Sequence, residues 1–201
     1  MKIILGSGSP RRREIMEAVF GKVEVVPPDV DEGVLPGEKP EAFTIRIVNE
    51  KMDSVLKKTA GDAVLLTSDT IVTIDGKVLG KPDSFDEAFS MLKLLAGREH
   101  KVITGLSLAY RGGIDILRES SIEETSVRFR DVDDSVISRY LELVDYKDKA
   151  GSYAIQEYGD MIVDSISGSV TNVIGLPLRL LFSMAGNPVF KNIFFSLPSR
   201  S

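Results

Sequence analysis

Residues 63–82 read AVLLTSDTIVTIDGKVLGKP, and the polar break inside this run decides how the chain is organised. Ala63 to Leu66 are continuously apolar, the mark of a strand buried on both faces of a sheet. Asp75-Gly76 is a two-residue turn signal, so the strand is expected to return as a hairpin that sets Thr70 opposite Lys81, with Asp69 one step away. Ser68, Asp69 and Thr70 interrupt an otherwise apolar strand, and burying three polar side chains there needs a compensating reason. A structural ion pair would be one. An acid at the end of a buried strand, with a lysine brought to it by a tight hairpin, would equally suit a base beside a phosphate clamp.

Upstream, residues 6–14 read GSGSPRRRE and follow a short apolar strand, Lys2 to Leu5. Gly6 to Ser9 read as a turn, Ser9 as an N-cap whose hydroxyl accepts a backbone N–H, and Pro10 as the first residue of a helix. Ile15, Met16, Val19 and Phe20 give that helix one buried stripe. Arg11, Arg12 and Arg13 fall in its first turn, where the positive end of the helix dipole disfavours each by about 0.3–1 kcal/mol. Solvation, or pairing with Glu14 and Glu17, would explain them. A strand, a small-residue turn and free helix N–H groups are also how folds hold phosphates, and a bound anion would reverse the sign of the cost. The stretch is neither a P-loop nor a dinucleotide fingerprint, because G-x-x-x-x-G-K-[ST] is absent and Pro10 and Arg11 stand in the third-glycine region.

The remaining elements alternate. KVEVVPP reads as a strand, PEAFTIRIVNEKMDSVLKK as a helix with Phe43, Ile47 and Val55 on its apolar side, and SFDEAFSMLKLLAGREH as a helix capped by Asp83 or Ser84 and ended by Gly97. HKVITGLSLAYRGG, GIDILRESS and IEETSVRFR read as three strands, followed by helices in DVDDSVISRYLELV and LPLRLLFSMAG. The fold class is therefore mixed α/β with several antiparallel strands, not a regular doubly wound sheet.

Composition narrows the chemistry. The 201 residues suit one domain, in one lobe or two, and 43% hydrophobic with 27% charged residues describes an ordinary soluble protein. There is no cysteine, which excludes disulfides, thiol chemistry and Cys-based metal sites. His100 is the single histidine, so a multi-His metal site within one chain is excluded. Carboxylates and substrate oxygens remain able to hold Mg²⁺ or Mn²⁺. A net charge of −5 makes any basic patch local and argues against nucleic-acid binding. No run reaches the length of a membrane span and no signal pattern opens the chain, so a cytoplasmic location is expected.

Other polar clusters have ordinary explanations. Glu50 and Lys51 read as a solvated helix face, Asp31 and Glu32 as a solvated loop with metal binding as the alternative, and His100 as a structural hydrogen-bonding group. DKAGSYAIQ sets Asp148, Lys149, Ser152 and Gln156 around Gly151 in a loop, and the Gln156 amide could read a base edge.

The segments GSGSPRRRE, DVDE, NEK, SDTIV, GKP, HKVITG, TSVRF, DKAGSYAIQ and GSVTNVIGLP, in this order from about Ile3 to about Leu181, closely resemble the Maf family of nucleoside triphosphate pyrophosphatases. The resemblance implies one Maf-like domain over residues 1–201, with a C-terminal extension from about 182. It also implies an α/β fold with a central mixed sheet and a deep cleft between two lobes, like that of the inosine triphosphate pyrophosphatases. The activity implied is cleavage between the α- and β-phosphates of a nucleoside triphosphate with a divalent metal, Mg²⁺ or Mn²⁺. Residue by residue, Asp69 becomes the proton acceptor and a metal partner, Ser7, Arg11, Arg12, Lys51 and Lys81 the phosphate-holding groups, and Glu32 a partner for the metal or for these cations. Arg11, Thr70 and Gln156 match the positions that set the base, and DTIV with DKAGSYAIQ is similar to the members that prefer dTTP and UTP. One departure is IQEYGD, where the family usually has glycines after the glutamine; Glu157 and Asp160 are expected to add charge near the pocket rim. The implied partner is a nucleotide, with no nucleic acid and no membrane, and a homodimer is left open. The alternative implied by the family's association with septum formation is a nucleotide-binding regulator without turnover.

Overall fold

β3 (Ala63–Ile74) is the spine of the sheet in the computed structural model, which describes residues 1–187, 190 and 191. All of its residues except Thr70 are buried. β1 (Lys2–Gly6) runs parallel to it along Ala63 to Thr67, and β4 (Lys77–Leu79) pairs antiparallel along Val72 to Ile74. The opposite edge carries β5 (Glu99–Gly112), antiparallel from Ala63 to Thr73. Residues 68–71 therefore have a strand neighbour only on the β5 side, because β1 has ended and β4 has not begun. This gap in the ladder leaves room at the sheet edge where the sequence turns polar.

The sheet is completed by β2 (Glu24–Val25), β6 (Asp115–Phe129) and β7 (Val163–Ser167), in the order β2-β1-β3-β5-β6-β7 with β4 on β3. β1 is parallel to both neighbours and every other pairing is antiparallel, which makes the sheet mixed. The three strands expected between 99 and 130 are two, since β6 runs unbroken through Ser120 and Ser121 against Ser107 and Leu106 of β5. The β3–β4 hairpin has the expected register, with Val72 opposite Leu79 and Ile74 opposite Lys77. Its ladder stops at Leu79, however. Thr70 pairs across to Thr104 of β5 and not to Lys81.

The helices are α1 (Pro10–Phe20), α2 (Pro40–Lys58), α3 (Phe85–Leu95), α4 (Asp134–Leu143), α5 (Val170–Ile174) and α6 (Leu178–Ala185). Alternation along β3 sends odd-numbered side chains toward α2 and even-numbered ones to the opposite face. Ile71 and Ile103 pack with Phe43 and Ile47 of α2. On the other face Leu66, Leu106 and Leu108 pack with Met16 of α1 and Leu181 of α6, while Val72 and Val102 pack with Leu92 of α3 and Tyr140 of α4. Ser84 caps α3 and Asp133 caps α4 through their side chains. Ser9 does not cap α1 in this way: its own N–H donates to Ser7 Oγ at 3.2 Å. Met16 alone of the expected α1 stripe is fully buried. The C-terminal extension expected from about 182 would begin inside α6; Phe190 is buried in the α1–α6 core, and residues 192–201 lie outside the described residues. No helix among the described residues is long and apolar enough to cross a membrane.

Candidate active site

The gap at residues 68–71 opens into a cavity of ≈ 600 Å³, a size suited to a small ligand, and every residue given a proton-accepting, phosphate-holding, metal or base-setting role by the resemblance lines it. Because side chains alternate along β3, its polar triplet divides. Asp69 points toward α2, where Lys51 Nζ donates to its Oδ1 at 2.6 Å. Ser68 Oγ donates to the Gly175 carbonyl at 3.0 Å, and Thr70 Oγ1 lies 3.0 Å from Thr104 Oγ1. Thr104 in turn donates to the Asn172 carbonyl at 3.0 Å. The polar break in β3 is thus satisfied on one face by the α5 segment and on the other by a buried lysine.

Lys51 is 5% exposed. Its ammonium bridges Asp69 and Glu32 Oε1, the latter at 2.7 Å, so Glu50 and Lys51 do not form the solvated pair that their adjacency suggested. Glu50 turns instead to Arg46. Burial alone would raise the Glu32 carboxyl pKa, but the charge and hydrogen bond of Lys51, with Lys81 and Arg12, hold it below its ordinary value. Lys81 Nζ stands 4.0 Å from Glu32 Oε2 and is mostly exposed. Asp31, beside Glu32, closes a local turn by accepting from Gly33 N–H at 3.0 Å.

The three arginines separate. Arg13 pairs with Glu17 one turn away, at 2.9 Å. Arg12 donates from Nε to the Gly175 carbonyl at 2.8 Å, from Nη1 to Ser7 Oγ at 3.1 Å and from Nη2 to Thr70 Oγ1 at 3.0 Å. Burial lowers its pKa from the ordinary value, Arg11 adds to this, and Asp69 and Glu32 oppose it. Arg11 reaches across to Asp148 through Nη1 alone, at 3.1 and 3.4 Å. Burial would raise the Asp148 pKa, but Lys149 and Arg11 outweigh it and hold the carboxyl low.

A family model described as Maf-like protein matches residues 2–187. The chain belongs to the Maf-like family. Among similar proteins, one from Thermoanaerobacter sp. (strain X514) is 42% identical over 92% of this chain and 95% of its own. Another from Caldanaerobacter subterraneus subsp. tengcongensis is 39% identical over 92% and 87%. A third from Clostridioides difficile (strain 630) is 36% identical over 98% and 100%. All three are named dTTP/UTP pyrophosphatase. The solved structure of the Staphylococcus aureus Ham1 protein matches with a TM-score of 0.51 at 12% identity, over 92% of this chain and 98% of that one, which shows a shared fold.

Around the cavity of this Maf-like protein, several participants were not apparent from local pattern. Gly175, Asn172 and Thr104 supply the network behind Ser68 and Thr70, and they come from segments 34 to 107 residues away in sequence. Lys149 is 4% exposed and lines the cavity, whereas Ser152, from the same loop, turns away and meets Met91 Sδ at 3.1 Å. Gln156 is exposed on the cavity wall. Glu157 is not a free rim charge, since it pairs with Lys149 at 3.3 Å, and Asp160 does not line the cavity. For a metal, the described residues contain no cluster of three or more His, Cys, Asp or Glu. Glu32 and Asp69 are two oxygen donors joined by Lys51, and Asp69 Oδ2 accepts no hydrogen bond among the described residues. That set fits Mg²⁺ held by one or two carboxylates and completed by substrate phosphates, and does not fit an all-protein cage.

Proposed function

We propose that this Maf-like protein hydrolyses dTTP and UTP to the nucleoside monophosphate and pyrophosphate, with Asp69 as the proton acceptor. The observation that carries the mechanism is the placement of Asp69 at the gap in the sheet edge, beside a cavity lined by Arg11, Arg12, Lys51 and Lys81. Relatives named for this activity align over nearly the whole chain.

In this reading the triphosphate lies between the α1 N-terminus and Lys81, where backbone N–H groups and cations neutralise its charge. Arg12, committed to Gly175, Ser7 and Thr70, fixes the turn against β3. Arg11 keeps Nε and Nη2 for the ligand. Lys51 holds the Asp69 carboxylate in one orientation through Oδ1, which leaves Oδ2 to take a proton from a water that attacks the α-phosphorus. The bond to the bridging oxygen then breaks and pyrophosphate leaves. A divalent cation, Mg²⁺ or Mn²⁺, held by Asp69 and Glu32 would supply charge neutralisation on the phosphates. Thr70, Arg11 and Gln156 face the same cavity and are assigned to choosing the base.

Phosphorus NMR of the products from dTTP, UTP, CTP and GTP tests the reaction. Equal amounts of monophosphate and pyrophosphate, formed fastest from dTTP and UTP, are expected. Orthophosphate with a nucleoside diphosphate would mean cleavage of the β–γ anhydride and would overturn the assignment.

A further inference from the structure

Gln156 sits at the third position of a turn that is anchored at both ends. The turn is closed by the Glu157 N–H donating to the Ala154 carbonyl at 3.2 Å. At its first residue, the buried Tyr140 hydroxyl accepts from the Ala154 N–H at 3.1 Å and donates to the Ala154 carbonyl at 3.2 Å. At its last residue, the Glu157 carboxylate meets Lys149 Nζ at 3.3 Å.

Lys149 is held by protein. Its ammonium donates to the Asp145 carbonyl and to Asp148 Oδ1, and forms an ion pair with Glu157 Oε1. Though it lines the cavity, all three of these contacts stay within its own loop. Asp148 continues the chain to Arg11, from which it takes Nη1 alone, so Nε and Nη2 of Arg11 have no partner among the described residues. Four charged groups, Arg11, Asp148, Lys149 and Glu157, thus alternate in sign from the first turn of α1 to the residue beside Gln156.

We propose that Glu157, acting through Lys149, is a specificity-determining positioning residue: it fixes the turn that presents Gln156 and couples it to Arg11. The proposal rests on the reading of Gln156 as a base-selecting group in the function above. An amide discriminates between a uracil-type edge and a cytosine edge only if it is held within about 0.5 Å of the productive geometry, because each edge reverses the order of donor and acceptor. Glu157 supplies the side-chain anchor at the last residue of that turn. Neutralising it frees one end, and Gln156 then reads both edges less selectively.

The test is nucleotide binding by titration in metal-free buffer, scored as the ratio of the dissociation constants for CTP and dTTP. Glu157→Gln is expected to lower this ratio at least about fivefold, mainly by weakening dTTP. Asp160→Asn, close in sequence but outside the cavity lining, should leave it unchanged. In a Gln156→Ala background, Glu157→Gln should have no further effect, an outcome that a general loosening of the protein would not give. Asp148→Asn, with a half-exposed carboxylate, is the second variant and carries the same expected loss. An unchanged ratio in both folded variants, or an equal shift with and without Gln156, would overturn the proposal. Because binding is read without turnover, absence of pyrophosphate release would count against the hydrolytic function alone.

Discussion

Lys51 lies between two carboxylates, 2.6 Å from Asp69 and 2.7 Å from Glu32, and is nearly inaccessible to solvent. Removing one member of such a group leaves an uncompensated buried charge, at a cost of about 3 kcal/mol or more. Lys51→Met is therefore expected to lower the unfolding free energy measured in urea by that amount and to abolish most turnover, with Lys51→Arg recovering part of both. A midpoint equal to wild type would mean that the triad is already solvated. Read by its neighbours NEK alone, Lys51 looks like an exposed helical charge. Read by period, Phe43, Ile47, Lys51 and Val55 recur every fourth residue along the buried side of α2, and a lysine on that stripe is the available signal. Arg12 had no such signal. Its Nε acceptor, Gly175, is 163 residues away, and no local pattern encodes a contact of that separation.

At the level of elements, the site depends on α2 lying close to β5. A Cβ on Gly105 would come within 2.7 Å of Thr44 Cγ2, 2.9 Å of Val48 Cγ1 and 3.0 Å of the Thr44 carbonyl. Gly105→Ala must push α2 outward, which costs about 1–3 kcal/mol and moves Lys51 away from Asp69. Urea unfolding together with kcat should show both losses, and a variant with neither would contradict this packing. Most elements were legible in the sequence because their signals are local. The helix at 40–58, a cap at Asp83 or Ser84 and the Asp-Gly hairpin register all follow from residues within a few positions. What was not legible is which strand edge stays open. The polar triplet at 68–70 showed that something interrupts β3, but the interruption is made by where β1 stops and β4 starts. The division of 115–129 into two strands failed for a related reason: the serines at 120 and 121 look like a turn until β5 is present to pair with them.

Across the whole molecule the charge is −5, yet five cations, Arg11, Arg12, Lys51, Lys81 and Lys149, line one cavity against the carboxylates of Glu32, Asp69 and Asp148, so attraction for a polyanion is local. Stability should also depend on pH through a group that does not line the cavity. His100 is buried against Phe129 and Tyr153, and burial pushes its pKa down to about 4 from an ordinary 6.5. The unfolded chain thus binds a proton that the native state refuses between these values, so stability is full above pH 6.5 and is lost as pH falls toward 4. About 2 kcal/mol should disappear between pH 7 and 5. The carboxyls held low, Glu32 and Asp148, contribute their losses at lower pH, below their ordinary values of 4.5 and 3.8. In His100→Gln the slope between pH 7 and 5 should flatten, as followed by urea midpoints; an unaltered slope would assign it to other groups. The central claim is that Asp69 activates the attacking water. The direct measurement is pyrophosphate release from saturating dTTP by wild type and Asp69→Asn, with dTTP affinity titrated in parallel. The account predicts a fall in turnover of at least about 100-fold with affinity close to wild type. Turnover retained in the variant would contradict it.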